Sequence, residues 1–234
     1  MSSDLLISGL TVRYKKILAV DDVNLSAPAG SVTWIVGPNG AGKSSTMLAI
    51  SGAVAVRGRV EIGGEDISAH SATSRVRLGI ASVPEGRQIF PRLTVHENLK
   101  VMSVVLRAGP QGIERALSRF PILRERAETL AGVLSGGEQQ MLAVSRSLIG
   151  EPRVLLLDEM TAGLAPVIVK SLMSDIRGLA DAGLAVLVAE PTIGPNASYV
   201  DRGYVMLRGK IVGEAGSGEA LDDLYQERLG VRRG

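Results

Sequence analysis

Cysteine is absent from all 234 residues, which excludes disulfides, thiolate zinc sites and cysteine nucleophiles. Histidine is scarce too, with His70 and His96 the only two. Apolar residues make up 45% of the chain, yet no run approaches the ~18 consecutive apolar residues that cross a bilayer. Met1-Ser-Ser-Asp-Leu-Leu-Ile7 has neither a basic region nor a long apolar core, so no secretory leader is expected. Neither sign of charge is in excess. Lys plus Arg number 26 against 24 Asp plus Glu, an interspersed balance that gives no footprint for nucleic acid. There is no internal repeat and no low-complexity segment. What remains is a chain long enough to bury a real core, expected in the cytoplasm.

The texture changes three times along the chain. Residues 5 to 36 alternate apolar and polar, as in Leu5-Leu-Ile-Ser-Gly-Leu-Thr-Val-Arg-Tyr14. A Pro28-Ala-Gly30 turn then precedes Ser31-Val-Thr-Trp-Ile-Val36, which predicts short strands ending in a buried one. Between about 87 and 150 the spacing is helical, as in Val95-His-Glu-Asn-Leu-Lys-Val-Met102 and Ile113-Glu-Arg-Ala-Leu117. After it, Val154-Leu-Leu-Leu157 and Leu184-Ala-Val-Leu-Val188 are the near-continuous apolar runs of parallel strands covered on both faces. They flank a helical stretch at 166 to 180, the order of a right-handed parallel crossover. Gly203 to Val212 reads as a hairpin around Arg208-Gly209, followed by a short polar helix near 218 to 228.

Three motifs carry chemistry. The first is Gly37-Pro38-Asn39-Gly40-Ala41-Gly42-Lys43-Ser44-Ser45, placed between a strand and a helix-like segment. Its glycines let backbone N–H groups converge on phosphate oxygens, the helix N-terminus adds partial positive charge, and Lys43 adds a full one. Ser44 is placed to hold Mg²⁺. The second is Val154-Leu-Leu-Leu-Asp158-Glu159, a buried strand ending in two carboxylates where open α/β sheets bind ligands. Asp158 suits Mg²⁺, directly or through water, and Glu159 suits a general base acting on water.

The third is Leu134-Ser135-Gly136-Gly137-Glu138-Gln-Gln140, ahead of the amphipathic Met141 to Leu148. Ser135 and Glu138 have the spacing of a capping box. Two glycines behind the cap leave bare N–H groups at a positive helix end, a second anion site. A head-to-tail dimer would sandwich nucleotide between the cradle of one copy and the cap of another.

Cradle, Leu134 to Gln140 signature and Val154 to Glu159 strand, in this order and spacing, resemble the ATP-binding subunit of an ABC transporter over essentially the whole chain. The resemblance implies an α/β P-loop fold with a mainly parallel sheet, an N-terminal antiparallel β subdomain and an inserted helical subdomain. It implies one ATPase domain over 1–234, with a nucleotide-binding core at 1–86 and 151–234 and the helical subdomain at 87–150. It also implies Mg²⁺-dependent ATP hydrolysis, adenine stacking on Tyr14 and a metal-linked role for Glu85. Val83 to Leu99 and Ala162-Gly-Leu-Ala-Pro166 are similar to branched-chain amino-acid importers, particularly the shorter of their two ATPases. The implied partners are two transmembrane permease subunits, a second ATPase subunit in a homo- or heterodimer, and, indirectly, an extracytoplasmic solute-binding protein. The implied location is the inner face of the cell membrane. Alternatives are a related importer for urea, amides or other amino acids, a non-transport ABC ATPase, and a nucleotide-binding regulatory subunit impaired in hydrolysis.

The chain departs from the family at three positions. Glu85 stands where most members carry glutamine, and Ala165 where the loop after the acidic pair carries aspartate. Pro191 falls at the position of the switch histidine, with Glu190 before it. Proline offers neither a side-chain donor nor a backbone N–H to a phosphate, so slower hydrolysis is expected at this subunit's site. Glu85 to Gln88 and the helical segment after it are the expected seat of a permease helix.

Overall fold

The computed structural model describes residues 4–86 and 88–230. Met1 to Ser3, on which the leader expectation partly rests, and Arg87, within the expected docking segment, lie outside the described residues. The chain opens with β1 (Leu5–Tyr14) and β2 (Ile17–Ala27), longer than the short strands expected, paired antiparallel. Next come β3 (Val32–Val36), α1 (Lys43–Ser51), β4 (Arg57–Ile62), β5 (Glu65–Asp66), α2 (Ala72–Arg77) and β6 (Ile80–Val83). Helices α3 (Val95–Leu106), α4 (Gly109–Arg119), α5 (Pro121–Glu125) and α6 (Gly136–Leu148) follow. The remainder is β7 (Val154–Asp158), α7 (Pro166–Asp181), β8 (Ala185–Glu190), β9 (Arg202–Leu207), β10 (Lys210–Ala215) and α8 (Gly218–Arg228).

Two sheets result. An antiparallel sheet has the order β2-β1-β4-β5. The main sheet has the order β10-β9-β3-β8-β7-β6, parallel throughout except for the β9–β10 hairpin turning at Arg208 and Gly209. The sequence map assigns nothing between 51 and 80. In that interval β4 buries one face only and β5 has two residues, too little periodicity to register as strands.

The main sheet is buried on both faces, and side-chain alternation divides it cleanly. Val32, Trp34 and Val36 of β3, with Leu155, Leu157, Val186 and Val188, join the core formed with α3 to α8. Ile35, Val154, Leu156, Leu187 and Ala189 join a second core beneath α1 and the antiparallel sheet. Each strand therefore serves two cores at once, which is why β7 and β8 are apolar up to their last residues and Thr33 of β3 is the one buried polar residue inside these three strands.

The C-terminal end of α1 is held by Arg75, which is only 2% exposed. Its guanidinium donates to the carbonyls of Ala49 and Ile50 at 2.8 Å each, Ser68 at 2.7 Å and His70 at 3.1 Å. Ala49 and Ile50 lie in the last turn of α1, where the positive charge complements the negative end of the helix. Arg75→Met is expected to lower the unfolding free energy by about 2–4 kcal/mol, measured by urea titration.

Candidate functional site

β3 ends at Val36, and the chain turns through Gly37 to Gly42 before α1 begins at Lys43. Gly42 takes φ 109° at the helix N-cap with no side-chain cap, so the first N–H groups of α1 face outward bare. The turn is pressed from behind. A Cβ on Gly37 would lie 2.2 Å from the Met206 carbonyl, and one on Gly42 2.6 Å from the Ala19 carbonyl. Ala41 accepts from Gly209 N–H at 2.7 Å. Only glycine permits both the left-handed turn and this approach.

Lys43 is 3% exposed. Its Nζ donates to the carbonyls of Gly37 (2.9 Å) and Pro38 (3.3 Å) and lies 3.4 Å from Glu159 Oε1. The ammonium thus joins the cradle to the acidic end of β7. Alternation along β7 puts Asp158 on the α1 side of the sheet, together with Leu156. There its carboxylate hydrogen-bonds Ser44, while Oδ1 is buried with no partner among the described residues. Burial pushes the Asp158 carboxyl up, with Glu159 and Glu85 adding to the shift and Ser44 and Lys43 opposing it. An orphaned carboxylate oxygen beside a serine hydroxyl fits Mg²⁺ or its water. No cluster of three His, Cys, Asp or Glu that could hold a metal occurs among the described residues, so most of the coordination shell would come from phosphate and water.

These groups open onto a cleft of about 660 Å³ lined by Asn39, Gly40, Gly42, Lys43, Ser44, Ser45, Glu85 and Glu159. Pro38 and Ala41 shape the turn without lining the cleft. Ile17, Leu18 and Ala19 form another wall, and Arg208 and Gly209 complete the lining. Tyr14, expected against the base, is not among the lining residues. It is 40% exposed and pairs across the β1–β2 turn with Ile17, itself 70% exposed. The apolar wall of the cleft therefore belongs to Ile17 and Leu18, with Tyr14 one strand pair away. Sequence reading missed these two, which look like ordinary hairpin residues. It also missed Arg208, which reaches the cleft only because β9 lies beside β3.

Ser135 to Glu138 do not line this cleft. Ser135 caps α6, accepting from Glu138 N–H at 3.3 Å while its own N–H donates to Glu138 Oε2 at 2.8 Å. Ser135 holds the Glu138 carboxyl below its ordinary range through these hydrogen bonds. Gly136 and Gly137 follow, and a Cβ on Gly137 would lie 2.4 Å from Ile168 Cγ2 of α7. A second hollow of about 450 Å³, lined by residues including Gln88, Gly132, Gln139 and Gln140, shares Glu85 and Glu159 with the first. Glu85 is exposed between the two. Ala165 stands at the N-cap of α7 with no side-chain hydrogen bond, so this cap goes unfilled.

Glu190 ends β8, is 2% exposed, and accepts from Thr161 N–H at 2.9 Å. Burial raises its carboxyl to about 7, with the charges of Glu159 and Asp158 adding to the rise and hydrogen bonds from Thr161 opposing it. Pro191 follows, half-buried and outside the lining of the cleft.

The chain matches the family described as ABC transporter over residues 20–162. It is 39% identical over 202 residues to the high-affinity branched-chain amino acid transport ATP-binding protein BraG of Pseudomonas aeruginosa, covering 85% of this chain and 87% of that one. It is 32% identical over 226 residues to the lipopolysaccharide export system ATP-binding protein LptB of Haemophilus influenzae, covering 94% and 93%. Among solved structures, MJ1267, an ATP-binding cassette of an ABC transporter, superposes with a TM-score of 0.89 at 25% identity over the whole of both chains.

The Glu190 carboxyl gives a test of the site's electrostatics in the nucleotide-free protein. The native group keeps its proton to about pH 7, whereas the unfolded one releases it near 4.5. Wild-type stability therefore falls as pH rises between these values. Glu190→Gln is expected to flatten that slope and to gain on the order of 2 kcal/mol at pH 8, read from urea unfolding at pH 5 and pH 8.

Proposed function

This chain belongs to the ABC transporter family as an ATP-hydrolysing subunit, and from that premise we propose that it energises uptake of branched-chain amino acids: leucine, isoleucine and valine. The observation that carries the chemistry is the meeting of Lys43, Ser44, Asp158 and Glu159 at one end of the parallel sheet. The bare N–H groups of the Gly37 to Ser45 segment and the Lys43 ammonium grip the triphosphate of ATP. Ser44, Asp158 and Glu85 would hold Mg²⁺, which would neutralise phosphate charge when bound. Glu159 takes a proton from the attacking water. Tyr14 and the Ile17–Leu18 wall pack the adenine.

The work is divided between a nucleotide-binding core (1–86 and 151–234) and a helical subdomain (87–150), whose Ser135 to Glu138 cap serves the nucleotide held by a second ATPase subunit. The remaining partners in this reading are two permeases, seated near Glu85 to Gln88, and an extracytoplasmic solute-binding protein. The chain then works at the inner face of the cell membrane. No helix among the described residues is long and apolar enough to cross a membrane, in keeping with spans supplied by the permeases.

Amino-acid uptake is favoured over other cargoes by the 39% identity to BraG. Lipopolysaccharide export is the second reading, favoured by a likeness to LptB that extends over 94% of the chain. Uptake of labelled leucine by cells lacking the chain separates the two. Loss of uptake with intact outer-membrane lipopolysaccharide supports the import reading, and the reverse pattern overturns it.

In the purified chain, Lys43→Ala is expected to weaken ATP binding by about tenfold or more. Glu159→Gln is expected to keep binding while turnover falls about 10²-fold or more, with fluorescence titration and phosphate release as the readouts. Pro191 places no donor toward the γ-phosphate, so this subunit turns over more slowly than its partner ATPase. Equal turnover at both sites of an assembled complex would remove that asymmetry.

A further inference from the structure

We propose that Glu190 is a positioning residue for Glu159: its buried carboxyl pins the turn that follows the acidic pair, and thereby aims the Glu159 side chain. The inference rests on the reading of Glu159 as the base.

The geometry begins with the strands. On β8, Leu187 and Ala189 face the α1 core, and Val186 and Val188 face the helical core. Glu190 continues the second set, on the side opposite Asp158. Pro191 reinforces this, because the residue before a proline is held extended. Strand geometry therefore persists to the last residue, paired with Val36 at the mouth of the cradle.

Glu159 sits at φ 47°, a left-handed conformation that a non-glycine residue holds only where its surroundings over-determine it. Two backbone N–H bonds to the end of β8 do so, joined by a hydrogen bond between the Thr161 side chain and the Glu190 carboxyl. Glu159 N–H donates to the Ala189 carbonyl at 2.9 Å, and two residues on, Thr161 N–H donates to Glu190 Oε1 at 2.9 Å. The first bond fixes where the turn leaves β7, and the second fixes its direction. Without the second, the turn is tied at one end and Glu159 is free to relax toward ordinary backbone angles. Its carboxylate, 3.4 Å from Lys43 Nζ, would then lose its aim. Nothing in this arrangement touches the cradle's own N–H groups, so the loss should fall on turnover rather than nucleotide affinity.

The test compares Glu190→Leu, which keeps bulk and removes the acceptor, with Glu190→Gln, which keeps an acceptor oxygen. Glu190→Leu is expected to lower kcat about tenfold or more while KM for ATP stays within about twofold. Glu190→Gln is expected to restore most of that loss. Adding Glu159→Gln to Glu190→Leu should cost far less than Glu159→Gln costs alone, because both act on one step. Wild-type kcat in Glu190→Leu, alongside an inactive Glu159→Gln, overturns the proposal and leaves the base reading standing. Full turnover in Glu159→Gln instead removes the base reading, and this inference with it. Should Glu190→Leu fail to fold, amide exchange in the wild-type protein decides. Protection of Thr161 N–H comparable to the β8 amides supports the pin, and exchange at the rate of an open loop overturns it.

Discussion

The ion pair between Lys43 and Glu159, made inside the carbonyl cage of Gly37 and Pro38, is the interaction on which the site depends. A nearly buried ammonium must be compensated, and here three oxygens from two different strands' loops do it. The glycine turn and the acidic strand end are therefore registered to each other before any nucleotide arrives. In the proposed function phosphate oxygens displace those partners, and the lysine exchanges one set of acceptors for another with little reorganisation. The same exchange releases Glu159 from its resting partner.

That registration is possible because β3, β8 and β7 lie side by side and parallel, all ending at the same edge of the sheet. Burial on both faces makes the strands rigid, since each apolar residue is packed into one of two cores. Apart from Thr33, buried within β3, polar residues enter these strands where they emerge: Asp158 on one face, Glu190 on the other. The two carboxyls end up in contrasting settings. Asp158 keeps an open oxygen beside Ser44, suited to a cation, whereas Glu190 is engaged by backbone and buried. The Pro191 that departs from the family pattern accordingly has a structural consequence, since it carries the strand to its end and fixes where Glu190 points.

Much of this was legible in the chain. The strands at 32–36, 154–158 and 185–190, the hairpin at Arg208-Gly209 and the helices at 166–181 and 218–228 announce themselves through apolar runs and turn residues. The Ser135–Glu138 box is realised in its hydrogen bonds. Thr94 and Glu97 form an equal box at the start of α3, a signal of the same spacing that sequence reading passed over. The interval from 51 to 80 was opaque for a physical reason: β4 is half exposed, β5 is two residues long and α2 is six, so periodicity has no room to develop. The cleft's apolar wall was not legible, because Ile17 and Leu18 carry no local mark to distinguish them from any hairpin flank.

The sequence by itself determined the pieces whose chemistry is local. A glycine turn opening a helix, a strand closing in two carboxylates and a serine-capped helix start each function through backbone dipoles and neighbouring side chains. Only the tertiary structure decided which pieces face one another. Arg208 enters the cleft through strand order, Gly137 meets Ile168 through helix packing, and Asp158 and Glu190 part to opposite faces through strand parity and register. These relations join residues far apart in the chain, and they follow from burying two cores around one sheet, a condition that no short stretch of sequence expresses.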